Sequence, residues 1–234
     1  MASRELTDTG YVLHRRRFRE NSAIIEVLTA QHGLLGLVVR GKERAGGAPS
    51  EFRALHLVWA GKSELPSLVR AEPLERALSL TGERLFSGLY LNELVYRFIR
   101  RGDANPSLFA AYQAALGALV DHSVEMTLRK FELTLLACAG YALQLNAAAD
   151  TGLALNDATK YYYLPEHGAV SSAPSQPSCA VDGRTLKALA GTADWEPEVA
   201  RQAKALMRFV IHHHLGGRQL ATRELFKFSS PGSI

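Results

Sequence analysis

The sequence predicts an α+β chain in which a small closed β-barrel comes first and a mostly helical domain follows. Three observations carry this. Short aliphatic and β-branched runs separated by turn residues fill residues 10–75. After Pro73 the spacing of apolar positions changes from the period of a strand to that of a helix. From there the helical pattern persists, broken only by an irregular insertion at residues 146–182. The chain therefore divides near residue 78, giving a β-domain at 1–78 and a helical domain at 79–234.

Each element has its own signal. The first strand enters at Tyr11 and carries Arg15, Arg16, Arg17 and Arg19. Alternation along a strand puts Arg15 and Arg17 on one face, and Arg16 and Phe18 on the other. Ala23–Thr29 and Leu34–Arg40 are the next two strands, joined by a hairpin turn at Gln31-His32-Gly33, where Gly33 is free to take positive φ. Residues 41–50 combine glycines, a proline and charge without an apolar anchor, and read as a mobile loop. Ala54–Ala60 is a fourth strand with Leu55, Leu57 and Trp59 facing the core, and Leu68–Ala71 forms or begins a fifth. Five short strands in about 65 residues suggest a closed barrel. Helices are expected at Glu83–Arg101, Pro106–Asp121 and Val124–Leu145, then at Gly183–Gly191, Glu196–Leu215 and Ala221–Phe226. The first is apolar on most sides and reads as central and buried. Tyr161-Tyr162-Tyr163 suggests a short hairpin inside the insertion, and Gly216-Gly217 is a helix stop.

Composition bounds the class. Of 234 residues, 47% are hydrophobic and 21% charged, as in an ordinary globular protein. Met1–Thr9 has no apolar core of a signal peptide, and no apolar run reaches membrane-spanning length. Two distant cysteines, Cys138 and Cys179, fit a reducing cytoplasm, and Cys138 in its apolar pattern reads as a buried thiol. Net charge is +4, but it is unevenly placed. Residues 11–44 hold Arg15, Arg16, Arg17, Arg19, Arg40, Lys42 and Arg44 against Glu20, Glu26 and Glu43. Residues 199–234 are basic too, and the middle is balanced.

The amino-terminal cations are the leading candidate site. They can be the charged guard of an exposed sheet edge. They can also be a surface that tracks phosphates, with sequence-independent and salt-sensitive affinity. Arg40, Lys42 and Arg44 favour the second, because they fall at a strand end that runs into a loop. His212-His213-His214 resembles a metal tract, but consecutive helical residues point about 100° apart and cannot converge on one ion unaided. The tract reads as two partly exposed histidines near a helix C-terminus. No C-x-x-C pair occurs, so a four-ligand structural zinc is not expected, nor is any other cofactor. Phosphate-cradling glycine loops, a nucleophile elbow and H-E-x-x-H are all missing from the sequence. Glu93 and Glu132 on apolar helices read as pairing or capping residues. No catalytic residue is assigned, and the expected class is not an enzyme.

Four segments in register resemble one family. They are Val12–Arg19 with Glu20–Thr29 and Gly33–Gly41; Gly88-Leu89-Tyr90-Leu91-Asn92-Glu93-Leu94; Leu128-Arg129-Lys130-Phe131-Glu132-Leu133 through Leu136, Gly140 and Tyr141; and Leu215-Gly216-Gly217 with Thr222–Phe226. The family is RecO, bacterial DNA-repair and recombination mediators. The resemblance implies an OB-fold barrel joined to a helical domain. It implies binding of single- and double-stranded DNA and annealing of complementary strands. It also implies action with RecR, and in some settings RecF, to load RecA onto DNA coated by single-strand-binding protein. Such a protein would be monomeric, cytoplasmic and nucleoid-associated. Many relatives hold zinc through paired cysteines in the helical domain; this sequence resembles a zinc-free branch, with residues 146–182 held by packing. The family also captures the acidic, phenylalanine-ended tail of single-strand-binding protein. The best-matched residues for that role are Arg129 and Lys130, followed by Arg97 and Arg101, while Phe131 reads as core. The rival reading is a protein adaptor whose basic face takes acidic tails and not DNA.

Overall fold

In the computed structural model, which describes residues 5–40 and 49–227, five strands close into a barrel. They are β1 (Glu5–Phe18), β2 (Ser22–Thr29), β3 (Gly33–Arg40), β4 (Leu55–Ala60) and β5 (Ser67–Pro73), in the circular order β1-β2-β3-β5-β4. This is an OB-like arrangement. β1 is twice the length of an ordinary strand because it serves two neighbours. Its first part, Glu5–Gly10, pairs with β4, and Gly10–Phe18 pairs with β2, with a register shift between Val12 and His14. A parallel contact of Val38 with Ser67 closes the barrel, where the Val38 N–H donates to the Pro66 carbonyl at 2.9 Å. Val12, Ile25, Val27, Leu37, Leu55, Leu57 and Trp59 fill the interior, so the expected inward residues of β4 are core. Gly33 turns the β2–β3 hairpin at φ 68°, and a Cβ there would lie 2.2 Å from the Asp103 carbonyl oxygen, so only glycine fits.

The helices that share this compact unit are α1 (Gly82–Phe98), α2 (Pro106–Asp121) and, much later in the chain, α6 (Thr222–Lys227). α1 packs on β1, α2 and α6. Tyr11 of β1 sets its ring against Phe109 and Tyr112 of α2 at 5.7 and 5.3 Å. A buried polar relay joins the layers: the Tyr112 hydroxyl donates to Asn92 Oδ1 at 2.6 Å, and Asn92 Nδ2 donates to the Leu13 carbonyl at 3.1 Å. Asn105 caps α2 by accepting from the Leu108 N–H, and Pro106 occupies the first turn.

A second compact unit spans Ser123–Gln219. It contains α3 (Val124–Cys138), a three-stranded sheet of β6 (Lys160–Leu164), β7 (Gly168–Val170) and β8 (Cys179–Asp182), then α4 (Gly183–Leu189) and α5 (Pro197–His214). The change from strand to helix near residue 78 thus marks a switch of secondary structure, whereas compactness divides the chain after His122.

Two expectations need correction here. α3 stops at Cys138, not Leu145, because Gly140 takes φ 86° and a Schellman motif closes the helix: Gly140 N–H donates to Ala137 O, and Tyr141 N–H to Leu136 O. With the helix ending there, Cys138 is half-buried instead of buried. The insertion is tied down by the β6–β7–β8 sheet and by local hydrogen bonds. Asp150 accepts from both the N–H and the hydroxyl of Ser171, and the Tyr163 and Tyr161 hydroxyls accept from the Gln144 and Asn156 N–H groups.

Candidate nucleic-acid interface

The barrel strands bring the arginines to one end of the sheet. β1, β2 and β3 are antiparallel neighbours, so the end of β1, the start of β2 and the end of β3 coincide. Phe18 faces Ser22, which in turn faces Arg40; Arg17, Arg16 and Arg15 face Ala23, Ile24 and Ile25. Arg15 and Arg17 share the face of the interior residues Ile25 and Leu37, while Arg16 and Arg40 share the opposite face with Ile24 and Val38. The cations therefore gather around a sheet end and do not lie on a single face. Arg15, Arg16, Arg17, Arg19 and Arg40 are all exposed. None is in an ion pair among the described residues. Arg19 belongs to the β1–β2 turn, not the strand, at φ 54°, with its guanidinium 5.1 Å from the Phe18 ring centroid. Lys42 and Arg44 lie outside the described residues.

Sequence reading missed one cation near this end. Lys62 is exposed on the β4–β5 turn, and that turn is fixed to the end of β3 by the Val38–Pro66 hydrogen bond. Only the barrel closure reveals this proximity, and Glu64 on the same turn offsets the charge. Glu20 in the β1–β2 turn is also exposed. Glu26 does not oppose the cluster, because Arg101 neutralises it in a close ion pair with the carboxylate almost fully buried.

The residues expected to bind an acidic tail are placed differently from one another. Arg101 is committed to Glu26 and lies over Gly36, where a Cβ would meet its Nη2 at 2.8 Å. Arg97 pairs with Glu93 at 3.4 Å. Arg129 is buried: it is 3% exposed, with Nη2 2.6 Å from Glu132 Oε1 and Nη1 3.8 Å from Glu125. The two acids at one helical turn's spacing draw the guanidinium into the packed face of α3. Lys130, next in sequence, points elsewhere and is exposed. Phe131 is core, as expected.

Glu93 performs a structural task across a long stretch of chain. Its carboxylate accepts from the Ala221 and Thr222 N–H groups, each at 2.9 Å, and from the Thr222 hydroxyl at 2.7 Å, capping α6. Burial pushes its pKa up, but the Thr222 and Ala221 hydrogen bonds and Arg97 outweigh that, leaving it below the usual carboxylate range. A depressed folded-state pKa means the cap stabilises at and above the ordinary glutamate pKa and is lost as pH falls through the lowered value. The protection of the residue 222–225 amides, taken relative to their intrinsic exchange rates at each pH, should therefore fall selectively in acid. Glu93→Gln should show that low protection already at neutral pH; equal protection in both proteins would refute the cap.

No helix among the described residues is long and apolar enough to cross a membrane. Comparison with known proteins finds similarity over nearly the whole chain. Residues 1–77 match the family model Recombination protein O N terminal, and residues 79–224 match Recombination protein O C terminal. The DNA repair protein RecO of Methylococcus capsulatus is 39% identical over 233 residues, covering 97% of this chain and 96% of that protein. Its namesake in Ralstonia nicotianae is 40% identical over 223 residues, covering 92% and 82%. That of Halorhodospira halophila is 36% identical over 223 residues, covering 93% and 95%. With both family models matched in order and relatives of this identity aligned nearly end to end, the chain belongs to the recombination protein O (RecO) family.

Proposed function

We propose that this protein is a non-enzymatic DNA-repair and recombination mediator that holds DNA at the arginine-rich end of its barrel. The observation that carries the reading is the set of five exposed guanidiniums, from Arg15, Arg16, Arg17, Arg19 and Arg40 at adjoining strand ends, none of them in an ion pair among the described residues. Arginine forks match phosphate oxygens, and their charge displaces condensed counterions. Neutralising two strands on one cationic surface removes the repulsion that opposes their pairing, which is a physical route to annealing. Lys42 and Arg44 extend the same basic sequence. Residues 1–78 act as the DNA-binding domain, and 79–234 as the domain that meets proteins. Family membership supports RecR as partner, RecF in some settings, and loading of RecA onto DNA coated by single-strand-binding protein, in the cytoplasm at the nucleoid, by a monomer. Exposed Lys130 is the entry cation for the acidic tail of single-strand-binding protein, with Arg129 behind it.

One observation favours a second reading. Among the described residues His14–Phe18 pairs with β2 and with no other strand, which leaves one side as an edge where arginines prevent unwanted strand pairing. The protein would then be an adaptor for acidic tails. Titration with bare single-stranded DNA, followed by annealing of complementary oligonucleotides, separates the two. A DNA mediator binds saturably and accelerates annealing. Weak, unsaturable retention with no acceleration would leave the adaptor standing.

A further inference from the structure

We propose that Glu166, His213 and His214 form a binding site for a divalent cation of the zinc class. The last turn of α5 supplies the two imidazoles. It is closed by a second Schellman motif, in which Gly216 N–H donates to His213 O and Gly217 N–H to His212 O, so this turn is well fixed. Adjacent helical histidines cannot form a site alone, but here the fold brings a third ligand. Glu166 sits in the β6–β7 turn, with Oε1 3.5 Å from His213 Nε2. The His213 and His214 rings lie 5.1 Å apart, and Tyr141 stacks on His214 at 4.1 Å, fixing the plane of that ring. One ligand atom from each of the three residues lies within 4.8 Å of the others.

Zinc bonds of about 2.0–2.2 Å in a tetrahedron place ligand atoms about 3.3 Å apart. The glutamate–His213 pair is already near that separation, and the remaining closure is a side-chain adjustment for two exposed residues and one half-buried one. Two imidazoles and one carboxylate suit a borderline cation, whereas magnesium and calcium prefer all-oxygen shells. The fourth position would be open to water. A cleft of about 580 Å³ beside the site, lined in part by His167, His212 and Phe209, leaves room for it. The ion would tie the β6–β7 turn to α5 without using either cysteine.

The test uses the full chain without a histidine tag and with Cys138 and Cys179 changed to Ser, so that thiols and tag cannot bind metal. Equilibrium dialysis against Zn²⁺ should give close to one ion per chain. Glu166→Ala and His213→Ala, both at exposed positions, should each bind at least about tenfold more weakly. Zn²⁺ should raise the thermal midpoint of the parent and not of these variants. His122→Ala, which alters a histidine outside the site, should bind as the parent does. Zinc affinity unchanged in Glu166→Ala and His213→Ala, no binding by the parent, or equal binding of Mg²⁺ would each overturn the site.

Discussion

Replacing Arg15, Arg17 and Arg40 together by alanine should weaken binding of single-stranded DNA at every sequence and flatten its salt dependence. Each phosphate contact contributes a slope of about −0.7 on single strands, so three lost contacts reduce the slope by about 2. Over a fourfold rise in salt, the parent should then lose roughly 18-fold more affinity than the variant. The three side chains are exposed and make no ion pair among the described residues, so stability should change by no more than about 0.5 kcal/mol. That separates loss of binding from loss of fold. If the arginines only guard the β1 edge, the slope will not move, and the variant will instead be more prone to associate.

The second large effect concerns stability. Arg129→Ala should destabilise the unit spanning Ser123–Gln219 by about 3–5 kcal/mol, because it removes one close charge partner of Glu132, whose side chain is fully buried. Changing both, as Arg129→Met with Glu132→Leu, should recover most of that loss, since apolar side chains of similar size replace a buried pair at little cost. Chemical denaturation of the two variants measures this. A single variant as stable as the parent would show that the pair contributes nothing. The result also governs any study of tail capture. Loss of binding in Arg129→Ala would reflect a damaged helix, whereas Lys130→Ala, at an exposed position, tests the contact itself.

Much of the fold was legible because the decisive signals are local. The hairpin at Gly33, the alternation of Leu55, Leu57 and Trp59, and the glycine stop at Gly216-Gly217 each depend on a few neighbouring residues. The end of α3 was written just as locally, in Gly140, but the apolar residues after it continue the helical period and masked the stop. The site was legible in part. Alternation placed Arg15 and Arg17 on one face, yet which face looks inward depends on the bulge near Val12 and on which strand lies beside β1, and both are tertiary facts. The fates of Arg101, Arg129 and Glu93 were hidden for the same reason. Glu26 is 75 residues from Arg101, and Thr222 is 129 from Glu93, so no short window contains the pair. Glu132 lay within reach at three residues from Arg129, but spacing alone does not say that the pair is buried. The convergence of Glu166 on His213 likewise needed the fold.

The most direct measurement is residue-level mapping of DNA on the free protein, by backbone amide chemical shifts during titration with a short oligothymidine at low and moderate salt. DNA held at the barrel end predicts salt-sensitive shifts at His14–Glu20 and Val38–Arg40, with the amides of α3 and α5 unmoved. Shifts confined to the unit spanning Ser123–Gln219, with Arg15, Arg16, Arg17 and Arg40 unaffected, would contradict it.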